Sequence, residues 1–116
     1  TDTGHVTAHM AACLDGVDAL VLECNHDADM LANGPYPPML KRRVGGQYGH
    51  LENRQAAELL GRMDISSLRH VIAAHLSRKN NTPELARAAL APVLDCDADW
   101  IEVACQDEGF GWRTIE

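Results

Sequence analysis

Ala19-Leu20-Val21-Leu22 is a short unbroken apolar run, and polar chemistry begins directly after it in Glu23-Cys24-Asn25-His26-Asp27. A run that brief, preceded by turn-like Gly16-Val17-Asp18, reads as a strand covered on both faces. His70-Val71-Ile72-Ala73-Ala74 repeats the pattern and runs into His75-Leu76-Ser77-Arg78-Lys79-Asn80-Asn81. Two buried strands that both release polar residues at their carboxyl ends point to an open α/β sheet, in which ligands bind beyond those ends.

Helical spacing surrounds both strands. His5 to Leu14 sets Val6, His9, Met10 and Cys13 on one side until Gly16 stops it. Asn53 to Met63 gathers Ala56, Ala57, Leu59, Leu60 and Met63, with Asn53 placed to cap. Thr82-Pro83-Glu84 is a helix start, a hydroxyl cap followed by proline at the first helical position, for a helix reaching Ala91. Between Asp27 and Gly49 the chain reads as a long loop. It holds a short helix at Ala28 to Ala32, the breakers Asn33-Gly34-Pro35-Tyr36-Pro37-Pro38, and basic Lys41-Arg42-Arg43 closed by Gly45-Gly46. Trp100 to Cys105 and Phe110 to Ile115, around Gln106-Asp107-Glu108-Gly109, read as a terminal hairpin. The order of elements predicts one α/β domain over residues 1–116, a mixed sheet with covering helices.

Composition sets limits on partners. The 116 residues carry 17 Asp plus Glu against 10 Lys plus Arg, a net charge of −7 with neutral histidines. That balance excludes the broad basic surface of a duplex-coating protein, because nonspecific affinity comes from Lys and Arg displacing counterions. A small basic site on an acidic body is still allowed. With 46% hydrophobic residues, a chain this size can bury a core without disulfides. No apolar run approaches the ~20 residues of a membrane span. Cys13, Cys24, Cys96 and Cys105 form no Cys-x-x-Cys pair; an even count allows two disulfides, but thiols set in apolar runs read as reduced and buried, in a cytoplasmic protein. Thr1-Asp2-Thr3-Gly4 has neither an initiator methionine nor a signal peptide, and is read as part of a longer chain.

Six histidines in a chain this short invite attention, since imidazole is a common metal ligand and the usual acid or base near neutrality. His9, mid-helix, and His70, opening a strand, read as structural; His5, His26, His50 and His75 stand in loops or at element ends. Asp2 reads equally as a strand-end carboxylate or a helix cap. Glu23 closes an apolar strand and needs a partner, because burying a lone carboxylate is costly. His50 precedes a helix start, where the helix dipole favours an anion.

Taken together, Thr-Asp2-Thr-Gly, Leu-Glu23-Cys-Asn-His26-Asp, Gly-His50-Leu-Glu-Asn with Gln55-Ala56-Ala57, and Ala-Ala-His75-Leu-Ser-Arg-Lys-Asn80-Asn81 resemble the second half of a metallo-β-lactamase-fold hydrolase, in the YycJ/WalJ-like branch related to ribonuclease Z. The resemblance covers nearly the whole chain. It implies half of an αββα sandwich, and a metal-dependent phosphodiesterase or nuclease acting on DNA or RNA. It assigns Asp2 and His75 to two divalent ions, Zn or Mn, in a longer parent. Glu23 and His50 match the relay beside the scissile phosphate, and His26, Asn80 and Asn81 match substrate-contacting positions. Lys41, Arg42 and Arg43 read as phosphate contacts or as a solvated charge run. The His-x-His-x-Asp-His motif that supplies most metal ligands in such hydrolases is absent, so the expectation for the chain alone is inactivity and self-association through an uncovered sheet face. The alternatives are hydrolysis of a non-nucleic ester or thioester, and a non-catalytic interaction module derived from the fold.

Overall fold

In the computed structural model, residues 4–46 and 49–104 are described. They run α1 (Ala8–Leu14), β1 (Ala19–Glu23), α2 (Ala28–Asn33), α3 (Pro38–Val44), α4 (Asn53–Arg62), β2 (His70–Ala74), α5 (Pro83–Leu94), a 3-10 turn (Ala98–Trp100) and β3 (Glu102–Val103). The three strands form one sheet in the order β1-β2-β3. β1 and β2 are parallel, in register from Ala19 opposite His70 to Glu23 opposite Ala74, and β3 continues the parallel pairing against Ile72 and Ala73. The fold is therefore α/β, as the alternation of apolar runs and helical stretches predicts.

One face of the sheet carries the core. Leu20 and Leu22 of β1 and Val71 and Ala73 of β2 pack with Ala56, Leu59 and Leu60 of α4 and with Ala86 and Leu90 of α5. Strand residues alternate between faces, so these four share a side, and each buried Leu contributes about 1.5–3 kcal/mol. Local chemistry starts the helices where the packing needs them. Thr7 Oγ1 accepts from Met10 N–H at 3.1 Å, and Thr82 Oγ1 from Leu85 N–H at 3.1 Å with Pro83 opening the helix.

Several expectations are corrected. β1 is not covered on both faces, because Val21, on the side opposite the core, is 57% exposed. Lys41, Arg42 and Arg43 lie in the last turn of a helix, α3, where basic side chains suit the dipole, rather than in a loop. Asn53 does not cap α4; Glu52 does, with Gln55 Oε1 accepting from Glu52 N–H at 2.9 Å. The expected mixed sheet is parallel throughout the described residues, and Trp100 belongs to a 3-10 turn instead of a strand. The second arm of the expected hairpin, Phe110 to Ile115, and Cys105 lie outside the described residues. Of the free cysteines described, Cys24 alone is fully buried, while Cys13 is exposed and Cys96 partly so. Among the described residues no helix is long and apolar enough to cross a membrane.

Candidate active site

Both strands of the core pair end at the same edge of the sheet, and the polar residues that follow them meet there. Beyond β1 the chain stays extended. Cys24 N–H donates to the Ala74 carbonyl at 3.0 Å, Asn25 N–H to Leu51 O at 2.9 Å, and Asn53 N–H to His26 O at 2.8 Å. The segment leading into α4 thus lies alongside the end of β1 and carries His50 next to Glu23. Gly49 permits the approach: a Cβ there would collide with the carbonyls of Arg43 and Val44. His50 N–H then donates to Val44 O at 2.9 Å, fixing the histidine against the end of α3.

Glu23 is buried, and its carboxylate is answered. Oε1 accepts from His50 Nδ1–H at 3.2 Å and from Leu51 N–H at 3.1 Å. Two donors on one oxygen offset much of the cost of burying the charge. His50 is 36% exposed on its side chain while Glu23 is 4% exposed, so a carboxylate behind the ring orients an imidazole that faces outward. His26, 1% exposed, has a neighbouring but different environment. Its Nδ1–H donates to Asn25 Oδ1 at 3.2 Å, and burial together with the nearby charge of His50 lowers its pKa against the raising effect of Glu23 and Asp27. Burial and, less, the Glu23 charge push the Cys24 thiol up to about 12, which keeps it protonated and unreactive.

The turn after β2 closes the other side. His75 has a left-handed backbone, φ 59°, and an exposed side chain; that conformation is uncommon outside glycine, and histidine is one of the residues that tolerate it. Asn25 Nδ2 donates to the His75 carbonyl at 3.0 Å, and Ser77 N–H donates to Asn25 O at 2.7 Å. Asn25, absent from the candidate residues of the sequence, therefore links the ends of both strands to His26. Asn81 is buried, and its amide is fully engaged. Nδ2 donates to Cys24 O at 2.8 Å and to Asn53 Oδ1 at 2.9 Å, while Oδ1 accepts from Asn53 Nδ2 at 2.8 Å and Thr82 N–H at 2.9 Å. With two donors and two acceptor positions all in use, Asn81 clamps the loop internally. The Asn80 backbone carbonyl holds Asp27 N–H at 2.9 Å. Its buried amide meets no hydrogen-bond partner among the described residues. At the amino-terminal end, Gln55 Nε2 holds the Gly4 carbonyl at 2.7 Å.

His50, Asn25, Tyr36, Val44, Ser77, Arg78 and Lys79 line one cleft of ≈ 350 Å³. Geometry thus joins His50, Glu23 and the turn that follows His75, and places Asn81 inside. Tyr36, Arg78 and Lys79 carry no spacing signal of their own in the sequence. Asp2 lies outside the described residues. Among the described residues no three His, Cys, Asp or Glu side chains converge to hold a metal ion, so the donor set on view does not make a metal site. Lys41 is used internally, its Nζ donating to the Ala32 carbonyl at 2.7 Å.

The chain is 41% identical over 95 residues to the exodeoxyribonuclease YycJ of Bacillus anthracis, a match covering 82% of this chain and 36% of that protein. It is 37% identical over 94 residues to the exodeoxyribonuclease WalJ of Streptococcus pneumoniae strains D39 and R6, covering 81% of this chain and 35% of theirs. The resemblance drawn from four short stretches is borne out by these relatives, of whose length the chain spans about a third. No protein-family profile and no solved structure matches it.

Proposed function

We propose that this homologue of the YycJ and WalJ exodeoxyribonucleases is the carboxy-terminal half of a metallo-β-lactamase-like αββα domain that hydrolyses phosphodiesters in DNA. The observation that carries the reading is the buried Glu23 carboxylate holding Nδ1 of a cleft-lining His50. An imidazole oriented in this way can protonate a leaving oxygen, and the carboxylate behind it stabilises the imidazolium. Departure of a sugar oxygen as a bare alkoxide is difficult near neutrality; a proton from Nε2 of His50 removes that barrier. Leu51 N–H keeps the carboxylate in place when the ring changes charge. Burial disfavours a charge on the neighbouring His26.

Such hydrolases use two divalent ions to activate water and neutralise the phosphate. In our reading Asp2 and His75 are two of their ligands, and the remaining ones come from the portion of the relatives that this chain does not span. The reading is tested in a protein of the relatives' full length that includes this segment. His50→Ala should lower cleavage of a DNA end by roughly 10²- to 10⁴-fold, the range for a lost general acid. Unchanged cleavage would refute the role, and turnover of a thioester in preference to DNA would refute the substrate.

A further inference from the structure

We propose that α3 is a wedge that opens the end of a DNA duplex beside His50, with Met39 parting the last base pair and Arg42 and Arg43 holding phosphates of the duplex end. The proposal rests on the phosphodiesterase reading and adds to it the element that prepares a paired end for the site. α3 forms a rim of the cleft: Val44, its last residue, and Tyr36, just before it, line the ≈ 350 Å³ space with His50. The Val44 carbonyl accepts the His50 N–H at 2.9 Å, so the helix and the histidine are fixed to one another. A space at the small end of ligand pockets has room for one strand of a duplex and not for the pair.

The outward face of this helix mixes two kinds of side chain. Met39 is 76% exposed, more than any other large apolar residue described, and Arg42 and Arg43 are exposed as well. Positions three and four apart lie side by side on a helix, so Met39 and the two arginines form one patch. A single exposed apolar side chain is ordinary; the arginines beside it are what point to an occupant. A protein surface laid over Met39 would also bury two guanidinium groups, which is costly unless each is paired. A duplex end offers all three a partner, phosphates for the arginines and the face of a base for methionine, one of the apolar side chains that enter between base steps. A strand without a complement has no pair to part, so the exposed methionine points to paired DNA.

Charge along the chain supports the same occupant. The protein carries 17 Asp plus Glu and a net charge of −7, yet no acidic residue occurs from Met30 to Leu51. α3 stands inside that stretch, and its last turn holds three of the chain's 10 Lys plus Arg. Lys41 ties the helix to α2 through the Ala32 carbonyl at 2.7 Å, which stiffens the support from which a wedge acts. The place of Arg42 and Arg43 in the last turn suits the helix dipole and still leaves both side chains exposed. A confined cationic patch on an acidic body favours the end of a duplex over its length, whose further phosphates would meet repulsion.

The test uses a full-length protein carrying this segment and a DNA duplex with 2-aminopurine in its terminal pair, whose emission rises when the base leaves the stack; phosphorothioate linkages at that end resist cleavage. The parent should bind and brighten the probe. Met39→Ala should lower the ratio of opened to paired ends about tenfold, the worth of one base-pair stacking step, and Met39→Leu should restore it. Arg42→Gln with Arg43→Gln should instead flatten the slope of log K against log salt by about 1.8, at roughly 0.9 per phosphate contact on a duplex. Three results would overturn the proposal: a bound parent that leaves the probe dark, equal opening by the parent and Met39→Ala, or an unchanged salt slope in the double arginine variant. Failure of the phosphodiesterase reading looks different. A protein that opens the terminal pair yet leaves DNA of ordinary linkage uncut removes that reading and keeps the wedge.

Discussion

Glu23 offers two substitutions whose consequences should diverge. Both of its hydrogen bonds, from His50 Nδ1 at 3.2 Å and Leu51 N at 3.1 Å, fall on Oε1. Glu23→Gln can place its amide oxygen at that position and keep both, giving up only the charge. Hydrogen bonds to charged groups are worth about 1.5–3 kcal/mol and neutral ones about 0.5–1.5 kcal/mol. The lost charge therefore weakens two bonds, while relief from burying a carboxylate offsets part of the loss. Glu23→Gln should cost no more than about 2 kcal/mol on those magnitudes. Glu23→Ala removes the acceptor altogether and leaves the buried Leu51 N–H unsatisfied, so it should cost about 3–5 kcal/mol. At this chain length that is a fall in Tm of about 12 °C or more, taking ~4 °C per kcal/mol. Urea titration followed by far-ultraviolet circular dichroism measures both. Equal losses for Gln and Ala, or a loss under about 1 kcal/mol for Ala, would refute the claim that Glu23 is a buried acceptor holding His50.

His75 has a left-handed backbone, φ 59°, so His75→Val should cost about 1–2 kcal/mol whereas His75→Gly should stay within about 1 kcal/mol of the parent; the same urea titrations decide it. His26 resists protonation in the folded chain, while an unfolded histidine takes a proton near pH 6.5. Stability should therefore fall as the pH drops from about 6.5 through the lowered folded value, and urea midpoints at pH 7.5 and 5.5 should show a smaller fall for His26→Gln than for the parent. Val21, 57% exposed on the sheet face away from the core, should make the isolated chain self-associate. Sedimentation at ~100 μM, enough to fill sites of ordinary affinity, should show Val21→Lys shifted toward monomer.

What the sequence showed and hid follows from the range of each interaction. The strands at Ala19 and His70 and the helix start at Thr82 are local signals, legible because apolar runs and caps act over a few residues. The cap at Glu52 was hidden behind Asn53, which looks like the better cap but is drawn into an amide pair with Asn81. That pair spans distant residues and leaves no local trace. The basic run at Lys41 reads as loop because Gly and Pro bracket it, although Pro38 opens a helix. Glu23 and His50 were legible as candidates from strand ends and from resemblance; their hydrogen bond depends on Gly49 passing against the carbonyls of Arg43 and Val44. Asn25 was invisible as a linker, since Leu51, His75 and Ser77, which it bonds, are distant from it in the chain.

The most direct test of the account is a leaving-group comparison in a full-length protein carrying this segment, with and without His50→Ala. DNA must release a poorly stabilised sugar oxygen, whereas a nitrophenyl phosphodiester releases an anion that needs no proton. If His50, oriented by Glu23, donates the proton, His50→Ala should lose roughly 10²- to 10⁴-fold on DNA and regain most of that on the nitrophenyl ester. Equal loss on both substrates would contradict the account and make His50 a structural or metal-binding residue.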